Sequence, residues 1–321
     1  MLYQPFRLAP EYRDYVWGGD KLRPGFSPTA EVWAVYENDR VASGPETGLT
    51  LAALAAEQSS QLLGAYVLRH TGRRFPLLIK LLDCAQWLSL QVHPNDEQAA
   101  ALEGPGFYGK TEAWHVLGAE PGAELIAGMQ PGVSSAALAA AISDGSILSL
   151  SQYLPVQSGD TLFMRPGTIH ALGPGLLIYE VQQSSDLTYR VYDWGRPQTE
   201  KRKLHIEKSL AVADPLASSP ATPLPDLADG ERRVLARCPY FTLEILAAQT
   251  RPVALDTAGQ SFHAITVIEG QAQIRLPKGQ AEPLILGRFE TALVPAACDA
   301  YQLEPLGSFK ALKASVEPLP A

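Results

Sequence analysis

"GDTLFMRPGTIHAL" (residues 159–172) carries the pattern on which the fold turns. A short β-prone run stops at Pro166-Gly167 and resumes at His170. Pro-Gly pairs mark tight turns, so the stretch predicts two short strands, the second opening on a histidine. "GRFETALVPAACDAYQL" (287–303) repeats the layout, with Asp299 about where the histidine would stand. The nearby "VIEGQAQI" (267–274) reads as a strand-Gly-strand hairpin. Two copies of one layout imply a duplicated β-sandwich in which a single copy is functional.

Working outward, the same texture recurs. "FPLLIKLLD", "EAWHVLGA", "AELIAGM", "GLLIYEVQQ" and "LTYRVYDW" are short β-branched or aromatic runs split by Gly, Pro, Asn and Asp. So are "YFTLEILA", "SFHAITVIEGQAQIRL", "EPLILG" and "FETALVPA" further on. Many short strands with turn signals predict a mainly β protein, a sandwich or a barrel. Three stretches have helical spacing: 50–70, with Thr50 as cap, 134–146 and 204–214. The proline-rich segment around 213–233 has little periodicity and reads as a linker. The expected organisation is a functional domain over 1–213 with helical segments, a linker over 214–230, and a second, metal-free β domain over 231–321.

Bulk properties exclude several function classes. With 321 residues, 46% hydrophobic and 19% charged, the chain is long enough for one large or two ordinary domains with real cores. A net charge of -8 argues against general nucleic-acid binding, but leaves room for a small anion on a local cationic cluster. No run has the apolar length of a membrane span, and the start lacks the basic-then-apolar layout of a signal peptide. Cys84, Cys238 and Cys298 are odd in number, far apart and outside any CxxC pattern. They read as buried, reduced thiols of a cytoplasmic protein.

The chemistry gathers around "SLQVHPND" (89–96). On a strand, Gln91 and His93 point the same way, either into solvent or together at something. Glu112 follows a Gly109-Lys110 turn, and His170 follows Pro166-Gly167. Gln91, His93, Glu112 and His170 offer two imidazoles and two oxygen donors. That set suits zinc or another first-row divalent ion at a catalytic rather than a structural site, since no thiolate is present. Spacing alone leaves open whether each histidine is a ligand or a hydrogen-bonded core residue. His115 is three residues from Glu112 and falls on the opposite strand face. His70 ends a helix, His205 begins one, and His263 lies in the ligand-poor second part; none is expected to act in catalysis. The run Lys201-Arg202-Lys203 is either a solvated face or a cationic rim for an anion.

"VWGGDKL" (16–22), "AEVWAVYEN" (30–38), "FPLLIKLLDCAQWLSLQVHPND" (75–96), "YGKTEAWHVL" (108–117), "GDTLFMRPGTIHALGPGLLIYEVQQSSDLTYRVYDWGR" (159–196) and "LHIEKSL" (204–210) together resemble the type I mannose-6-phosphate isomerases. These are zinc enzymes of the cupin superfamily. The resemblance implies two cupin-type β-sandwiches (jelly rolls) and one zinc ion per chain on Gln91, His93, Glu112 and His170. It implies an aldose–ketose isomerase interconverting mannose 6-phosphate and fructose 6-phosphate through an enediol(ate). It places Arg190, Glu180, Lys110 and Ser89 in the active site: Arg190, Glu180 and Lys110 for catalysis, and Ser89, Lys110 and Arg190 for substrate. Only 57 residues separate Glu112 from His170, too few for the helical insertion of longer members, so the chain resembles the short, bacterial-type form. The expected partner is a small sugar phosphate, with neither nucleic acid nor membrane, and the expected state is a monomer or small homo-oligomer. The alternatives are a different metal-dependent cupin enzyme and a non-catalytic sugar-phosphate-binding cupin.

Overall fold

A computed structural model describes residues 3–26, 28–200, 202–277 and 281–319. The chain is mainly β, with several antiparallel sheets and a few short helices, as the turn-punctuated strands predict. Among the described residues no helix is long and apolar enough to cross a membrane.

Two compact units form, but not as two successive segments. One comprises Met1–Glu11, Val32–Lys80 and Leu224–Ala321; the other comprises Tyr12–Glu31 and Leu81–Pro223. The boundaries expected from composition, 1–213 and 231–321, are therefore revised: two N-terminal stretches fold with the C-terminal part. The first strand shows why. Phe6 and Arg7 pair with Leu293 and Ala292, so the strand Phe6–Ala9 joins the same sheet as Ala300–Ser315. Half of the proline-rich segment is no free linker either. Ser218 and Thr222 bridge to Gly128 and Thr161, and the buried Ser219 donates its hydroxyl to Phe163 O at 2.6 Å.

The first unit is organised by two long strands, His263–Arg275 and Ala300–Ser315. Each serves different neighbours at its two ends. The former pairs with Thr291–Val294 and then Leu284–Leu286; the latter pairs with Val253–Asp256 and then Thr242–Ala248. Gly270 marks a register shift, with a positive φ of 68° and no room for a Cβ against Ser308 O. Leu246, Val267, Ile274, Leu303 and Phe309 fill the core. The single helix expected over 50–70 is three: Leu51–Glu57, Ser59–Leu62 and Ala65–Thr71. Thr50 caps the first as expected, accepting from Ala53 N. Gly64 separates the second helix from the third, with a positive φ of 90°, and is packed so close to the Gln260 backbone that no side chain fits.

The second unit holds the candidate site. One sheet contains Thr161–Met164, Glu112–Ala119 and Leu176–Gln183 side by side. The other runs in the order Tyr189–Tyr192, Leu90–Val92, His170–Leu172, Glu124–Met129 and Ser151–Pro155. Trp114, Val116, Leu162 and Ile178 of the first sheet share one core with Leu125, Ala127 and Leu172 of the second, which makes a sandwich. The alternate residues Leu90, Val92, Ile126 and Ala171 face the other way. There they pack on the helices Ser135–Asp144 and Ile206–Val212. A third helix of this unit, Asp96–Glu103, carries a capping box between Asn95 and Gln98.

Candidate active site

The alternation of the second sheet fixes the site. Arg190 is opposite Gln91, and Gln91 is opposite His170, so three neighbouring strands contribute one row of polar residues. Directly opposed residues of an antiparallel pair share a face. Leu172, two residues beyond His170, lies in the inter-sheet core, so this row faces inward. Glu112 arrives from the opposite sheet, where it pairs with Met164 and Gln182.

The donor atoms converge. His93, Glu112 and His170 are all buried, and their ligand atoms lie within 4.8 Å of one another. Glu112 Oε1 is 3.2 Å from His170 Nε2 and 3.7 Å from His93 Nε2. Gln91 brings its carboxamide to the same place through Nε2, 3.3 Å from His170 Nε2; its ligand oxygen is the other end of that amide. A tetrahedral ion bound at about 2.0–2.1 Å needs donors about 3.3–3.4 Å apart. The ring orientations agree with that fit. His93 Nδ1 bonds to Leu187 O at 2.8 Å and His170 Nδ1 to Thr168 O at 2.9 Å. Each carbonyl holds the proton on Nδ1, which leaves the Nε2 lone pair pointing at the cluster. Burial, and then the neighbouring Lys110, lower the His170 pKa to about 4, so the ring is neutral at pH 7.

Two further charged side chains close around this set. Lys110 Nζ is 2.8 Å from Glu112 Oε2, 3.3 Å from His93 Nε2 and 3.9 Å from Glu180 Oε1. Glu180 Oε2 accepts the indole N–H of Trp114 at 2.8 Å, and Trp114 also meets the His170 ring edge-on. Lys110 and Glu180 are both buried. The sequence reading brought Gln91, His93, Glu112, His170, Lys110 and Glu180 to one place, and the structure assembles them. Ser89 is buried, two residues before Gln91. Arg190 stands in the polar row, half-buried, with Nη1 donating to Lys203 O at 3.0 Å. Its Nε is buried and has no hydrogen-bond partner among the described residues.

The histidines assigned elsewhere are elsewhere. His115 is buried and bonds Thr161 Oγ1 at 2.9 Å. His70 sits in the last turn of its helix and bonds Tyr66 O. His263 bonds Tyr301 Oη at 2.8 Å in the other unit. His205 differs: besides starting a helix, it accepts the Arg190 backbone N–H on Nδ1 and so braces that strand. Arg202 is neither a solvated residue nor a free rim cation, because the buried Asp193 grips it through both carboxylate oxygens. Lys203 is exposed, and Lys201 lies outside the described residues. The roles of Trp114, Leu187 and Thr168 escaped the sequence reading. For the two backbone carbonyls no residue type could have signalled it.

Comparison with known proteins agrees with this geometry. Residues 5–112 match the model of the phosphomannose isomerase type I catalytic domain. A mannose-6-phosphate isomerase of Streptococcus mutans is 38% identical over 296 residues, covering 86% of this chain and 90% of that protein. A mannose-6-phosphate isomerase of Bacillus subtilis is 38% identical over 225 residues, covering 67% of this chain and 69% of that protein. The crystal structure of the mannose 6-phosphate isomerase from Bacillus subtilis superposes with a TM-score of 0.79 at 29% identity, covering 97% of this chain and 99% of that one. The chain belongs to the type I phosphomannose isomerase family.

Proposed function

We propose that the protein is a zinc-dependent aldose–ketose isomerase that interconverts mannose 6-phosphate and fructose 6-phosphate through an enediol(ate). It is proposed to be cytoplasmic and to work as a monomer or small homo-oligomer, with the cupin-type sandwich of the second unit as its catalytic domain. The observation that carries the reading is the spacing of the buried His93, Glu112 and His170 donors, with the partly buried Gln91 next to them, beside Lys110 and Glu180. Those four residues hold the ion. When bound, zinc supplies Lewis-acid stabilisation of negative charge on the substrate's oxygens.

The chain's own groups do the rest. Isomerisation moves a proton between C1 and C2 and shifts the carbonyl in the opposite sense. Glu180, oriented by the Trp114 indole, is the carboxylate placed to carry a proton. Lys110 keeps a fixed positive charge beside it and neutralises developing negative charge on a substrate oxygen. Arg190 has a spare, partly desolvated guanidinium face for the enediolate or the phosphate. Ser89 adds a hydroxyl on the strand approach to Gln91. Burial of Lys110, Glu112, His170 and Glu180 excludes water, so these charges act in a low dielectric.

The test is a coupled assay for fructose 6-phosphate formed from mannose 6-phosphate. Turnover that disappears with a chelator and returns with zinc supports the reading. A zinc-loaded protein that binds the sugar phosphate without converting it overturns it.

A further inference from the structure

Lys110 must be held accurately, and it does not lie in a regular element. It sits in the segment between the helix Asp96–Glu103 and the strand Glu112–Ala119. Three successive backbone amides of that segment are nevertheless all bonded. Gly109 N donates to Asp96 Oδ1 at 2.8 Å, Lys110 N to Pro94 O at 3.0 Å, and Thr111 N to Gln183 Oε1 at 2.9 Å. Gln183 Nε2 returns to the same Asp96 Oδ1 at 3.1 Å, so one carboxylate oxygen links both side-chain clamps. Gly109 packs so tightly on Asn95 that an added Cβ would lie 2.5 Å from its carbonyl carbon.

These bonds all originate next to the ion-site ligands. Pro94 follows His93 directly, Asp96 comes two residues later, and Gln183 ends the strand whose Gln182 pairs with Glu112. The capping box of Asn95 and Gln98 fixes the helix start from which Asp96 reaches. Gln183 is buried, and both ends of its amide are used.

We infer that Asp96 and Gln183 are positioning residues for the isomerisation: together they clamp the backbone amides of Gly109 and Thr111, the residues on either side of Lys110, and set where its ammonium stands. The inference rests on the function proposed above. Neither residue need touch the sugar. Displacing a reacting group by about 1 Å costs on the order of 100-fold in rate, while ground-state binding need not change.

Asp96→Ala deletes the shared acceptor, and Gln183→Met deletes both amide contacts at similar length. Each is expected to lower kcat about 10- to 100-fold with KM within about threefold, because the defect lies in the placement of a catalytic group. Zinc content and cooperative unfolding stay intact, and a crystal structure of either variant shows Lys110 Nζ drawn away from Glu112 Oε2. Asp96→Asn keeps an acceptor oxygen and returns kcat to within about threefold of the parent. A folded, zinc-loaded Asp96→Ala or Gln183→Met protein with the parent's kcat overturns the inference. So does Asp96→Asn as impaired as Asp96→Ala. If the parent protein itself fails to turn over mannose 6-phosphate, the proposed function falls instead, which keeps the two failures distinct.

Discussion

Replacing Lys110 with methionine tests whether the ammonium is an integral charge of the site. Methionine keeps most of the apolar stem and removes the cation. The ammonium stands 2.8 Å from Glu112 Oε2 and 3.9 Å from Glu180 Oε1, with all three groups buried. At an effective dielectric constant of about 20, Coulomb's law gives about 6 and about 4 kcal/mol for the two attractions. Desolvation offsets much of that, and deleting one partner of a buried pair costs a net of about 3–5 kcal/mol. In a domain of about 150–250 residues, each kcal/mol moves Tm by about 2–4 °C, so the chelator-treated variant should melt about 6–20 °C below the parent. On the proposed function zinc would restore positive charge beside Glu112, so its addition should raise the variant's Tm by more than the parent's. Thermal unfolding followed by circular dichroism, with chelator and then with excess zinc, reads both quantities. A chelator-treated variant melting within about 2 °C of the parent, or an equal zinc increment in both, would refute the role assigned to this charge.

Trp114→Phe removes the indole donor from Glu180 and keeps an aromatic edge on His170. Since a hydrogen bond to a charged group contributes about 1.5–3 kcal/mol, kcat should fall about tenfold or more with KM little changed, and an unaltered kcat in steady-state assays would remove Trp114 from the site's machinery. His170 predicts a pH dependence for the zinc-free protein. Its folded pKa is depressed to about 4, whereas the unfolded ring titrates near 6.5. Above that pH both states are neutral and the ring contributes no slope. Below it the unfolded chain takes up a proton that the folded chain refuses, so stability falls as pH falls, by up to about 1.4 kcal/mol per unit down to pH about 4. His263, also held well below its ordinary value by burial and Lys313, acts with the same sign. Urea midpoints from pH 7.5 to 5 should therefore drop less steeply in His170→Gln than in the parent; parallel curves would contradict the assignment.

The parts of the site legible in the sequence are those that local rules decide. Strand parity puts Gln91 and His93 on one face and separates Glu112 from His115, and both outcomes follow from a two-residue period. The turn at Pro166-Gly167 predicts where His170 emerges, at the first residue of its strand. What remained hidden depends on partners distant in sequence. Nothing in "MLYQPFRLA" signals that Phe6 will pair with Leu293 across the length of the chain. Gly64 looks like a tolerable helical glycine until Gln260 packs against it and excludes a side chain. Arg202 reads as part of a solvated charge run until Asp193, buried nine residues earlier, is found to grip it. Asp96 belongs with them: its hold on Gly109 and Gln183 needs the helix start, the loop and the strand end to meet. The ligand set is therefore a consequence of period and turn chemistry, whereas the placement of Lys110 beside it is a tertiary property. On the proposed function, a sequence that kept all four donors and lost Asp96 and Gln183 is expected to keep the ion site and to set a misplaced ammonium beside it.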